Sequence, residues 1–291
     1  MEPTTMDALK WLAKNFLEKL ADEPKTKLQP KKEIQPTTMD VLKKSTKNFL
    51  RKSANKLKKF RPKTKEELQK LVDDIYNVNL GDIDTSLITD MSYLFSNGFL
   101  SRTNFSGIEN WDVSNVTNMR GMFYGCTDFN QPLNNWDVSN VTNMSEMFYN
   151  CYNFNQPLNN WDVSNVTNMS EMFYNCYNFN QPLNSWDVSS VTNMSGMFGG
   201  DMFRGCKNFN QPLEKWDVSS VTNMSEMFKY AESFNRPLEK WDVSSVTNMS
   251  EMFWGTKRFN QSLEKWEDAL DDYEMFECSV QDPLPTWYKR K

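Results

Sequence analysis

Tryptophan falls at positions 111, 136, 161, 186, 216, 241 and 266, in steps of 25 residues broken once by a step of 30. A fixed period in this range marks an array of stacked units, and it governs how every motif inside it is read. The stretch from Trp136 to Asn159 returns letter for letter from Trp161 to Asn184. The shared pattern is W-D-V-S-[NS]-V-T-N-M-S-x-M-F-x-x-C-x-x-F-N-Q-P-L. One such unit is too short to bury a core that offsets the entropy of ordering it, so the copies have to share an apolar interior.

Two periodicities sit inside each unit. Leu133, Trp136 and Val138 form L-x-x-W-x-V, whose end alternates as a short strand does. Met144, Met147, Phe148 and Cys151 then fall at i, i+3, i+4 and i+7, the stripe of a short helix. Asn143 ahead of that stripe, with Glu146 three residues on, reads as a helix N-cap with a capping-box partner. Phe154-Asn155-Gln156-Pro157 breaks the helix, because proline cannot continue a hydrogen-bonded ladder. The expected fold class is therefore an α/β repeat solenoid of leucine-rich-repeat type, with one short strand and one short helix per 25 residues. Its divisions are a basic, duplicated helical or mobile extension (1–61), a cap with a degenerate first repeat (62–110), the repeats (111–265), and a degenerate last repeat with a cap (266–291). Five extra residues around Gly199-Gly200-Asp201-Met202-Phe203 read as a bulge that leaves the flanking strands intact.

W-D-V-S-N-V-T-N-M-S-x-M-F followed by F-N-Q-P-L closely resembles the BspA-type leucine-rich-repeat proteins. These are bacterial surface proteins whose 25-residue repeat is also described as a domain of unknown function. The lead-in Thr64-Lys65-Glu66-Glu67-Leu68 and the stretch Asp82-Ile83-Asp84-Thr85-Ser86 are similar to those preceding the repeats in family members. The resemblance spans roughly residues 62–278. It implies a curved solenoid at the cell surface or secreted, used for adhesion or binding to host-derived proteins and neighbouring cells, with no catalytic residues.

Composition narrows the chemistry. With no histidine in 291 residues, the Ser-His-Asp and Cys-His nucleophile systems and the HExxH zinc site are excluded. Five cysteines with no CxxC pair argue against a disulfide framework or zinc ribbon. Cys126, Cys151, Cys176 and Cys206 share a column continued by Ala231 and Thr256, which marks a small packing site. The Met and Phe columns read as core, with methionine filling gaps beside aromatic rings. Carboxylates are abundant but recur identically, whereas an acid/base pair needs distinct environments, so neither an enzyme nor a cofactor is expected.

The residues between the buried ones of each expected strand face outward, on the concave side. This places Asp112, Asp137, Asp162, Asp187, Asp217 and Asp242 in one column. The stripe reads either as a ligand-facing surface for basic peptides, glycans or Ca²⁺, or as a row of turn residues bonding the local backbone. Beside it, Asn134-Asn135 and Asn159-Asn160 give way to Glu214-Lys215, Glu239-Lys240 and Glu264-Lys265, grading the flank from neutral amide to mixed charge. A second column, Asn118, Asn143, Asn168, Asn193, Asn223 and Asn248, is expected to satisfy backbone groups. The sequons such as Asn115-Val116-Thr117 follow from the repeat itself.

Charge divides the chain. Residues up to Lys70 carry 19 Lys+Arg against 9 Asp+Glu, and the remainder 14 against 29. Pro3-Thr4-Thr5-Met6-Asp7 returns as Pro36-Thr37-Thr38-Met39-Asp40, and Met6, Leu9, Ala13, Phe16, Leu17 and Leu20 make an amphipathic stripe. Such a basic segment can contact an anionic membrane or another polyanion, which gives a second reading: an intracellular scaffold tethered by this extension. Lys10, Lys14 and Lys19 interrupt the apolar residues of the N-terminal stretch, so no secretory leader or lipid-anchor cysteine is expected there, and a true start at Met1 would keep the chain in the cytoplasm. No run of residues reaches membrane-spanning length, and the main expected partner is a protein or a glycan.

Overall fold

The computed structural model describes residues 59–96, 102–266, 274–280 and 283–288. The basic extension read in residues 1–61 lies outside them except at its last three positions. Phe60–Lys291 forms one compact unit.

The expected strand and helix of each repeat are both absent. Among the described residues no strand occurs, and the only α-helix, α1 (Lys65–Asp73), precedes the repeats. Each unit is instead a coil of consecutive turns. Trp136 N–H donates to Leu133 C=O (2.9 Å), Val141 to Val138 (2.9 Å), Met147 to Met144 (3.2 Å), Cys151 to Phe148 (2.9 Å) and Phe154 to Cys151 (3.1 Å). Every one is an i→i+3 closure, and in every one both corner side chains are buried. A run of three-residue turns therefore places apolar residues at i, i+3, i+4 and i+7 just as a helix does. Backbone angles decide between them. Glu146 and Asn150 have φ of 58° and 59°, the left-handed region that no α-helix contains and that the third residue of a type II turn adopts. The capping box is likewise missing: Asn143 Oδ1 accepts from Ser145 N (2.9 Å) and Oγ (2.8 Å), closing a local turn.

Coils are joined along the stack by backbone bonds. Met119, Gly121, Phe123 and Gly125 N–H donate to Asn143, Ser145, Met147 and Tyr149 C=O of the following coil, at 2.8–2.9 Å. One residue per coil meets the parallel bridge pattern, in the series Asp90, Asn118, Asn143, Asn168, Asn193, Asn223, Asn248. Inside, like side chains lie on like. Phe148, Phe173 and Phe198 stack with centroids 5.7 Å apart, Phe154 lies 5.9 Å from Phe179, and Trp161 lies 6.4 Å from Trp186. The cysteines of the packing column are fully buried from Cys151 onward, and Cys151 Sγ donates to Phe123 C=O (3.1 Å). Burial pushes these thiols above their ordinary range, that of Cys126 to about 12, so they stay protonated as packing groups.

The insertion loops out without shifting the register. Gly199 C=O still accepts from Asn175 N–H (3.0 Å), Met202 and Phe203 project with 53% and 75% exposure, and the chain rejoins the stack at Cys206. The N-terminal end is covered by α1. Thr64 caps the helix by accepting from Glu67 N–H (3.3 Å), Leu68 and Val72 are buried, and Gln69 Nε2 donates to Leu94 C=O in the first coil (3.0 Å). Arg102 anchors the helix end through the carbonyls of Val72 (3.0 Å) and Asp74 (3.3 Å).

Each coil's indole N–H reaches back one layer. Trp136 Nε1 donates to Ile108 C=O (3.1 Å), Trp161 to Leu133 (3.0 Å) and Trp186 to Leu158 (3.0 Å). Trp287, outside the 25-residue period, makes the same bond to Leu263 (2.9 Å) and so serves as the last member of the series. Trp266 breaks the pattern, since its buried Nε1 has no hydrogen-bond partner. A contrast is expected from identical chemistry at two positions. Trp161→Phe should cost about 1–3 kcal/mol more than Trp266→Phe, because both leave a similar cavity but only the first strips a buried carbonyl of its donor. Urea unfolding of the two variants checks this, and equal losses would contradict the assignment.

Candidate functional site

The aspartate column occupies turn corners, not a strand face. Each described member spells Asp-x-Ser, and the geometry repeats. Asp137 Oδ1 accepts from Ser139 Oγ (2.7 Å), Asp162 from Ser164 Oγ (2.7 Å), Asp187 from Ser189 Oγ (2.7 Å) and N–H (3.1 Å), and Asp217 from Ser219 in the same way (2.7 and 3.1 Å). Asp112 is bonded to Ser114 and is buried, so it faces no solvent. Asp242 accepts from Ser244 N–H (3.1 Å). The serine bonds hold the Asp187 and Asp242 carboxyls below the usual carboxylate range, the hydroxyl contributing more than the backbone. One oxygen of each aspartate thus closes its turn. At the exposed members, Asp162, Asp187, Asp217 and Asp242, the side chain still lies at the surface as an anion.

The column meets a groove at one place. Asn159, Pro182, Asn184, Ser185, Trp186, Asp187, Val188, Lys215 and Asp217 line an open space of about 590 Å³. It sits where the flank changes from amide to charged residues, and Lys215 lines it together with aspartates of two successive coils. Lys215 is held by its backbone, whose N–H donates to Asn184 Oδ1 (3.0 Å), and it lines the groove. Asp187 and Asp217 are the two members of the column brought together here; Asp112, Asp137, Asp162 and Asp242 do not line the groove. Among the described residues no three Asp, Glu or Cys side chains converge to hold a metal ion. The groove can select by charge and hydrogen bonding on a rigid frame.

A second groove was not legible from the residue pattern. Asn130, Asn153, Asn155, Asn178, Asn180 and Asn208 line an open space of about 580 Å³ and share no residue with the first. It is built by two amide rows. In one row, Asn130 Oδ1 accepts from Asn155 N–H (3.0 Å) and Gln156 Nε2 (3.2 Å), and Asn155 Oδ1 accepts from Asn180 N–H (3.0 Å) and Gln181 Nε2 (2.9 Å). In the other, Asn153 Nδ2 donates to Asp128 (3.2 Å) and Asn178 Nδ2 to Asn153 Oδ1 (3.3 Å). The signal is the N-F-N of three successive units, at Asn153, Asn178 and Asn208.

A third polar face gathers glutamates with cations: Arg120 pairs with Glu146 (2.7 Å), and Lys229 bridges Glu226 (3.1 Å) and Glu251. Among the described residues no helix is long and apolar enough to cross a membrane. Comparison with curated proteins and with solved structures finds no match. The stack does match a family model, in two adjacent segments covering residues 89–201 and 200–287, which together take in every regular coil. With more than half of its length so matched, the chain belongs to the repeat family described as "Mycoplasma protein of unknown function, DUF285".

Proposed function

We propose that this protein is a non-catalytic binding module that holds a protein or glycan ligand against the flank carrying the aspartate column, as the BspA-type surface proteins it resembles do in adhesion. One observation carries the reading. The groove at Asp187, Lys215 and Asp217 presents two anions and a cation on a frame whose internal positions are nearly invariant from coil to coil. Invariance inside is what stacking demands, and variation on the flank is where selectivity can be written. The carboxylates are fixed by their serine partners, so little side-chain entropy is lost on binding.

The test is recovery of partners from host-cell extracts by the immobilised full-length chain, compared with Asp187→Asn/Asp217→Asn. Loss of a rim charge pair is expected to weaken a specific partner about 3- to 30-fold, from one to two modest polar contacts. Unchanged recovery of every partner by the double variant would remove the site from this flank.

A further inference from the structure

The amide groove carries chemistry that the aspartate groove does not. Its six lining residues are all asparagines, with no charged and no apolar side chain among them. In Asn130 and Asn155 the carboxamide oxygen is filled by two bonds from the next coil, and among the described residues no group accepts from the Nδ2 of either. Asn180 repeats the arrangement, accepting from Asn210 N–H and Gln211 Nε2 (both 3.0 Å). One row therefore offers donors only. The second row, Asn153 and Asn178, has spent one N–H and one oxygen lone pair of each side chain along the ladder and keeps one of each.

We propose that this groove is a second binding site, for a linear uncharged polysaccharide lying along the stack. A ligand here gains neither ion pairs nor apolar burial, so it must be dense in groups that both accept and donate, as sugar hydroxyls are. Phe154 and Phe179, each seated between the two asparagines of its coil, repeat at 5.9 Å, comparable with the rise of one pyranose unit in an extended chain, so successive sugars meet equivalent amides. An extended peptide would also pair with amides, but peptide recognition relies on pockets for alternate side chains, and none lines this groove.

The test is affinity electrophoresis of the full-length protein in native gels containing glucomannan, hydroxyethyl cellulose or glycol chitin, with hyaluronate and an unstructured Gly-Ser polypeptide as comparisons. Retardation by at least one neutral polysaccharide is expected, with none by hyaluronate or the polypeptide. Asn153→Ala/Asn178→Ala should weaken it roughly tenfold by removing two neutral hydrogen-bonding groups. Asp187→Asn/Asp217→Asn should leave it unchanged, which separates this site from the one proposed above. Absence of retardation by all three neutral polymers, retardation equal in the amide-groove double variant and the parent, or preferential retardation by the polypeptide or by hyaluronate would each overturn the proposal.

Discussion

Phe173→Ala is expected to cost about 3–5 kcal/mol, the range for deleting a fully buried phenylalanine. The ring has 0% exposure and lies between Phe148 and Phe198, each 5.7 Å away, with Phe179 at 4.1 Å in its own coil. Both neighbouring coils lose a stacking partner at once. The surrounding backbone is pinned by bonds from Phe173 N–H to Met197 C=O and from Phe148 N–H to Met172 C=O, both 2.9 Å, so the cavity cannot close by collapse. Guanidinium unfolding gives the readout, and Phe203→Ala is the control. That ring is 75% exposed, and its removal should change stability by less than about 0.5 kcal/mol. A loss at Phe173 no larger than at Phe203 would mean that the stack does not hold the coils together.

The second large effect is expected at the base of the insertion. A Cβ on Gly200 would sit 2.2 Å from Gly205 Cα and 2.3 Å from Asn175 Oδ1. Neither can move cheaply. Gly205 is backbone where the loop re-enters the stack, and Asn175 is 1% exposed and tied to Asp201 N–H (2.8 Å) and Asn150 Oδ1 (2.8 Å). Gly200→Ala should therefore cost about 2–3 kcal/mol, at the upper end for overpacking. Gly125→Ala separates crowding from backbone conformation: its Cβ would meet nothing within 4 Å, while its φ of 76° is left-handed. About 1–2 kcal/mol is expected there. Thermal unfolding of the two variants ranks them, and a smaller loss at Gly200 would place the tight approach elsewhere.

The columns of the interior were legible because burial is written in residue type. Trp136, Val138, Val141, Met144, Phe148 and Phe154 recur at fixed offsets and are all buried. The elements were not legible, for a geometric reason. Over the eight residues from Met144 to Cys151, chained three-residue turns and a helix bury the same positions. A clue did exist. The column Gly121, Glu146, Glu171, Gly196, Glu226, Glu251 holds glycine twice and glutamate four times, and every member has φ between 55° and 59°. Glycine recurring in the middle of an expected helix argues for a left-handed turn residue. The Asp-x-Ser spelling equally announced a side-chain-closed turn. The amide groove was hidden because it depends on which asparagine atoms are spent between coils, and a single unit does not contain that information. Trp287 escaped notice because only three-dimensional placement gives it the role its predecessors share.

Since Trp136–Asn160 and Trp161–Ser185 differ only at their last residue, the junction above one unit is chemically interchangeable with the junction above the next. Excising residues 161–185 would join Asn160 to Trp186 and recreate contacts already present. Height is therefore an adjustable quantity in this molecule, set by how many units the gene happens to encode. A ligand track running along the pile would lengthen or shorten in whole-unit increments without redesign of any single contact.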